Sequence, residues 1–147
     1  MKKIVGGIIG GLIAGIIFGI MMSIMNAPSP EGEMPMMLMV AKIVHSKTMI
    51  GGWIYHLFNS AIIGLIFGWL LGTRCLSWKA SFQWGAIYGF IWWILGGLIL
   101  MPLFLGMPIF APLMISEMRM VAMGSLIGHL IYGLILGGIF YPLYSKK

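Results

Sequence analysis

Four long apolar runs, at about Ile4 to Met25, Met49 to Leu71, Ala80 to Met101 and Met118 to Tyr141, alternate with short stretches that carry the charge. A helix of about 20 apolar residues crosses the roughly 30 Å hydrocarbon core of a bilayer. The pattern therefore predicts an all-α membrane protein with four transmembrane helices. Residues 73–79 form a short link between the second and third runs, which predicts that those two helices are antiparallel neighbours.

The other two connections differ from this link. Residues 27–48 open on Pro28-Ser29-Pro30-Glu31-Gly32-Glu33, a stretch rich in helix breakers. Met34 to His45 is too short to span, and its apolar character suits a short interfacial helix in the first outer loop, with Pro35 near its start. Residues 102–116 are apolar and interrupted by Pro102, Pro108 and Pro112. They are expected to dip toward the bilayer or pack on the bundle, because irregular backbone cannot face lipid. Ser116-Glu117 suits the start of the fourth helix.

Charge orients the bundle. Lys2, Lys3, Arg74, Lys79, Lys146 and Lys147 fall on one side, and Lys42, Lys47 and Arg119 on the other with Glu31, Glu33 and Glu117. The positive-inside rule then places both termini in the cytoplasm of a prokaryote, with the chain multi-pass in its inner membrane.

Composition removes other classes. Of 147 residues, 61% are apolar and 8% charged, with a mean hydropathy of +1.04. A soluble domain has about a quarter of its residues charged. One integral membrane domain, 1–147, is expected. Nine Lys and Arg against three acidic residues suggest a nucleic-acid binder only until their places at the ends of apolar runs are seen; no nucleic acid is expected. A single cysteine, Cys75, excludes an internal disulfide. The N-terminal run is too long for a signal peptide and lacks a clean cleavage site, so it reads as the first span.

The two halves align. A shift of 73 or 74 residues, with a one-residue gap in the outer loop, pairs Gly11 with Gly85, Gly15 with Gly89, Met34-Pro35 with Met107-Pro108, and His56-Leu57 with His129-Leu130. This predicts two helical-hairpin repeats, about 1–73 and 74–147, each with an even number of spans and therefore parallel-related. Glycines four apart (Gly11-Gly15-Gly19, Gly64-Gly68-Gly72, Gly85-Gly89, Gly133-Gly137) let backbones approach closely. Such rows drive self-association as readily as packing within a chain, so a homo-oligomer through Gly-rich faces and partners in a membrane complex stay open, besides the lipid bilayer itself.

The candidate chemistry is the histidine pair. Helical spacing puts Gly52, His56 and Ser60 on one face with Asn59 beside them, and Ser125, His129 and Gly133 on another with Tyr132 alongside. Ionisable residues inside a membrane are costly and are functional candidates by default. Three readings compete. The neutral histidines fix helix register by bonding to Asn59, Tyr132, Ser125 or each other; or the two imidazoles ligate a cofactor such as haem b, with the flanking small residues making room for it; or they form a metal or proton path, which the lack of a nearby carboxylate weakens.

Among 15 methionines, Met34, Met36, Met37 and Met39, with His45, form a candidate soft-metal set on the outer loop, suited to Cu(I). Met is also a flexible apolar filler. Of Trp92 and Trp93, mid-helix, at least one should face the bundle and find an acceptor. No nucleophile–base pair, phosphate loop or metal-spaced carboxylate set is present, so a non-catalytic protein is expected. The alternative is a small-solute or Cu(I) transporter or channel acting as an oligomer.

The segment Gly51-Gly52-Trp53-Ile54-Tyr55-His56-Leu57-Phe58 resembles the Trp-x-x-His segment of small four-helix inner-membrane proteins of bacteria, and Gly128-His129-Leu130-Ile131-Tyr132-Gly133 is similar to a stretch in their last helix. The resemblance covers nearly the whole chain. It implies the architecture and brings no established activity. Gly128 stands where Tyr55 precedes the first histidine, so the two sites need not be equivalent.

Overall fold

A computed structural model describes residues 1–29 and 32–145; Pro30, Glu31, Lys146 and Lys147 lie outside the described residues. The chain is mostly helical, and four helical stretches are long and apolar enough to cross a membrane: Lys2–Ile24, Met49–Arg74, Trp78–Phe104 and Ser116–Tyr144. Helix α1 (Lys2–Ile24) leads into an antiparallel pair, β1 (Asn26–Ser29) and β2 (Gly32–Pro35), and then into α2 (Met36–Ile43). After α3 (Met49–Leu71), a single turn and α4 (Trp78–Trp92), the helix widens to π geometry over Trp93–Leu100 and ends in α5 (Met101–Phe104). A short α6 (Ala111–Met114) precedes α7 (Arg119–Ser145).

Local chemistry explains the helix starts. Thr48 Oγ1 accepts from the Gly51 N–H at 3.4 Å to cap α3, and Ser77 Oγ accepts from the Ala80 N–H at 3.1 Å to cap α4. Pro35 precedes α2, as its position in the sequence suggests. A 3₁₀ turn over Ser116–Met118 brings the chain into α7.

The strand pair is absent from the sequence reading, which saw only breakers. Its register sets Ala27 opposite Met34, and both are buried, while Glu33, opposite Pro28, is exposed. Two strands of four residues are too short to show an alternation, and Pro28 can supply no backbone donor. The π segment likewise lies within a run whose apolar pattern predicts ordinary helix. It carries Gly96-Gly97, and wider turns of this kind recur at functional sites.

Packing among the four long helices follows the glycines. A Cβ at Gly64 would strike the Gly7 carbonyl, one at Gly11 the Ser60 carbonyl, and one at Gly68 the Lys3 carbonyl, so α1 and α3 are in backbone contact. Gly85 and Gly133 face each other's carbonyls, and Gly89 meets the His129 carbonyl, which joins α4 to α7 in the same manner. Helix α1 also packs on α7, with Gly10 against Leu136 and Gly6 against Phe140.

The expectation of α3 and α4 as packed neighbours is corrected. The close-packed order is α3–α1–α7–α4, and α3 and α4 do not pack as a helix pair. Glycine rows outrank a short link, because they set which backbones can touch. Across the gap, Tyr88 Oη donates to the Ile63 carbonyl at 2.7 Å, Phe67 meets Tyr88 edge-on at 5.2 Å, and the Arg74 guanidinium lies over the Trp84 ring. These groups fill the half of the gap nearer the termini. The half nearer the long loops is open.

Lys2, Lys3, Arg74 and Lys79 belong to the terminal end, while Lys42, Lys47, Arg119, Glu33 and Glu117 belong to the loop end. Cys75 is buried in the turn before α4, and burial pushes its thiol pKa up.

Candidate functional site

His56 and His129 come from α3 and α7, which do not pack directly along their glycine rows, yet both imidazoles reach one ring. Phe18 of α1 meets His56 edge-on at 5.8 Å and His129 at 4.8 Å between centroids. Trp53, one turn from His56, adds a second edge contact at 6.2 Å. Phe18 can stand there because Gly15 and Gly19 on its own helix let α3 approach: a Cβ at Gly19 would strike the Trp53 ring, and Gly128 of α7 leaves room for Phe18 itself.

The two histidines are held differently. His56 Nε2 lies 2.8 Å from the Gly15 carbonyl on α1. His129 Nδ1 lies 2.7 Å from the Ser125 carbonyl of its own helix, with Ser125 Oγ a weaker second partner at 3.3 Å. A carbonyl only accepts, so the facing nitrogen carries the proton in each case. As neutral imidazoles they are opposite tautomers. His56 keeps its lone pair on Nδ1, and His129 keeps its lone pair on Nε2, the atom that faces Gly96 of the π segment.

A cavity of about 310 Å³ fills the open half of the α3–α4 gap, at the low end of the size range of small-molecule sites. From α3 it receives Tyr55, His56, Asn59, Ile62 and Ile63; from α7 it receives Val121, Ala122, Ser125 and His129. Trp92, Gly96 and Gly97 line it from α4 and the π segment, and Phe18 and Met22 from α1. The loop segments Met36 to Ile43 and Met101 to Pro112 close over its end. No Lys, Arg, Asp or Glu is among its described lining residues.

The predicted site residues divide. His56, Asn59, Ser125 and His129 line the cavity. Ser60 and Tyr132 do not; they form a buried seam in which Ser60 Oγ donates to the His56 carbonyl at 2.8 Å and Tyr132 Oη donates to the Ser60 carbonyl at 3.0 Å. Met36 and Met39 of the proposed metal set reach the cavity, whereas Met34 and Met37 are buried elsewhere, with the Met37 carbonyl packed on Gly52. His45, at a left-handed φ of 55°, lies at a separate surface hollow with Lys42, Ser46 and Lys47. Of this set, then, Met36 and Met39 line the cavity, and Met34, Met37 and His45 lie outside its lining. Among the described residues no group of three His, Cys, Asp or Glu side chains could hold a metal.

Sequence reasoning missed Phe18, the Gly15 carbonyl, Gly96-Gly97 and two more cavity methionines, Met101 and Met107. One signal was available for Phe18, since it is the sole aromatic residue in α1. The expectation for the tryptophans holds: Trp93 Nε1 donates to the Ala122 carbonyl at 3.2 Å. No family model, curated protein or solved structure matches the chain.

Proposed function

We propose a non-catalytic, multi-pass protein of a prokaryotic inner membrane, with cytoplasmic termini, whose histidine pair locks helix packing beside an apolar ligand cavity. Support for the membrane reading comes from the outside of the bundle, where Ile9, Ile16, Ile20, Ile54, Phe58 and Ile127 are exposed. In water such a surface would be an aggregation site. The duplication is supported by matching seams: Gly11 on Ser60 and Gly64 corresponds to Gly85 on Gly133 and Gly137. These rows face one another within one chain, so an oligomer through them would have to part them.

The observation that carries the ligand reading is that two histidines from opposite halves share one Phe18 and line one cavity. The bonds favour a packing-and-ligand role over bis-histidine haem b ligation. His56 Nε2 is already committed to Gly15, and Phe18 packs against both imidazoles. The test is extraction of protein purified in mild detergent, beside a Gly96→Leu variant whose side chain enters the cavity. We expect a co-purifying apolar molecule that the variant lacks. Equal recovery from both proteins would overturn the cavity assignment. A Soret band abolished by a His56→Ala, His129→Ala double variant would move it to haem b.

A second reading, handling of Cu(I) with transport through an oligomer, is favoured by one observation. Met22, Met36, Met39, Met101, Met107 and Met118 line the same cavity as the histidines, and thioethers with an imidazole suit a soft monovalent metal. Copper retained through chelator-free purification, and lost on Met36→Leu with Met39→Leu, would select it.

A further inference from the structure

The cavity's polar groups define what it takes. Asn59 is half-buried on α3 and lines the cavity, and its carboxamide has no hydrogen-bond partner among the described residues. An unpaired amide in apolar surroundings is costly, which makes it a site that calls for a ligand group. His129 Nε2 is equally without a partner. Because Nδ1 donates to the Ser125 carbonyl, Nε2 can only accept. His56 offers the same on its remaining nitrogen, Nδ1, since Nε2 donates to Gly15.

We infer that the cavity binds a neutral, hydroxyl-headed amphiphile from the bilayer, with its hydroxyl at Asn59 and His129 and its chain leaving between α3 and α4. This rests on the ligand-cavity reading above and deepens it.

Three features select that class. The open imidazole nitrogens accept and cannot donate, so the ligand must bring a hydrogen-bond donor; an ester, ether or quinone carbonyl cannot satisfy them. The Asn59 amide N–H needs an acceptor in return, and a hydroxyl supplies both functions in one atom. No charged residue among the described lining offers a counter-charge, so a carboxylate, phosphate or ammonium head would be buried unpaired. The rest of the wall, including Met22, Val40, Ile63, Trp92 and Leu100, suits an apolar chain. Since α3 and α4 do not pack as a helix pair, the space between them is the route by which a bilayer component would enter.

The test uses the full chain in phosphatidylcholine vesicles and a long-chain primary alcohol brominated at its far end. Trp92 lines the cavity, and bromine quenches indole emission, so the cavity signal is the quenching lost in a Trp92→Phe variant. We expect saturable quenching by the alcohol and binding weaker by about tenfold for its methyl ether, the loss of one hydrogen bond whose buried partner is left bare. His129→Leu should erase that preference, and Asn59→Leu should weaken alcohol and ether alike, each leaving chain binding in place. Equal binding of alcohol and ether would overturn the hydroxyl assignment and leave the cavity reading standing. Equal binding of the matched fatty acid anion would overturn the neutrality argument. Absence of quenching by every probe would overturn both this inference and the ligand-cavity reading.

Discussion

Residues 1–73 and 74–147 share a seam and differ at one end. In the first half Gly7 and Gly11 meet Gly64; in the second, Ser81 and Gly85 meet Gly137, at positions 74 and 73 residues further on. At the loop end the likeness stops. The first half leaves α1 for a strand pair and α2, whereas the second leaves α4 through a π segment and two short helices. The histidines diverge with it: His56 grips a neighbouring helix, and His129 grips only its own. Backbone-to-backbone packing tolerates few alternatives, because a single added methyl group meets a carbonyl. A loop end that encloses space tolerates many, and the cavity lies where the halves are least alike.

The sharpest way to break the comparison is at the seam. Gly64→Val and Gly137→Val each drive a side chain into a facing carbonyl, of Gly7 and Ser81 respectively. Each should cost about 3 kcal/mol or more, as overpacking against rigid backbone does, and abolish the monodisperse peak in detergent. Ile54→Val, on an exposed face, should stay within about 0.5 kcal/mol. If one glycine accepts valine and its counterpart does not, the seams are not equivalent.

A smaller effect separates the histidines. His56→Leu removes a bond between helices and should lower stability in detergent by about 1 kcal/mol. His129→Leu removes a bond within one helix turn and should cost less than half as much. Thermal unfolding followed by circular dichroism in detergent would measure both. A larger loss at His129 would contradict the assignment of the inter-helix tie to His56.

The parts of this molecule legible in the sequence are those governed by composition and spacing. Apolar run length gave the four long helices, with α3 placed at Met49 to Leu71, and glycines four apart marked the faces that touch. Matching His56 with His129 found two residues that do converge. Other features depend on side-chain direction and helix order. Which methionines line the cavity cannot be read from their count: Met36 does, and its neighbour Met37 is buried outside the lining. The short link suggested α3 beside α4, but the order was decided by backbone contacts elsewhere. Phe18 belonged to no motif, and its role exists only because two other helices bring histidines to it.

The finest comparison concerns two tyrosines that tie the halves together. Tyr132 Oη donates to the Ser60 carbonyl from within a buried seam, and Tyr88 Oη donates to the Ile63 carbonyl across the gap between α3 and α4. Each Phe substitution should cost about 0.6 kcal/mol, the usual worth of such a bond in a membrane helix bundle. The acceptors are different carbonyls, so the double variant should lose close to the sum. Their dynamic consequences should differ. Around Tyr132 the helices stay packed through α1, so its loss leaves the cavity shut at the inner end. Tyr88 is a principal tie where α3 and α4 have no glycine seam, and Tyr88→Phe should let the gap breathe. Hydrogen exchange in vesicles should then rise along α3 near Ile63 for Tyr88→Phe alone. Equal acceleration in both variants would mean that the gap is held by the bundle as a whole and not by this one bond.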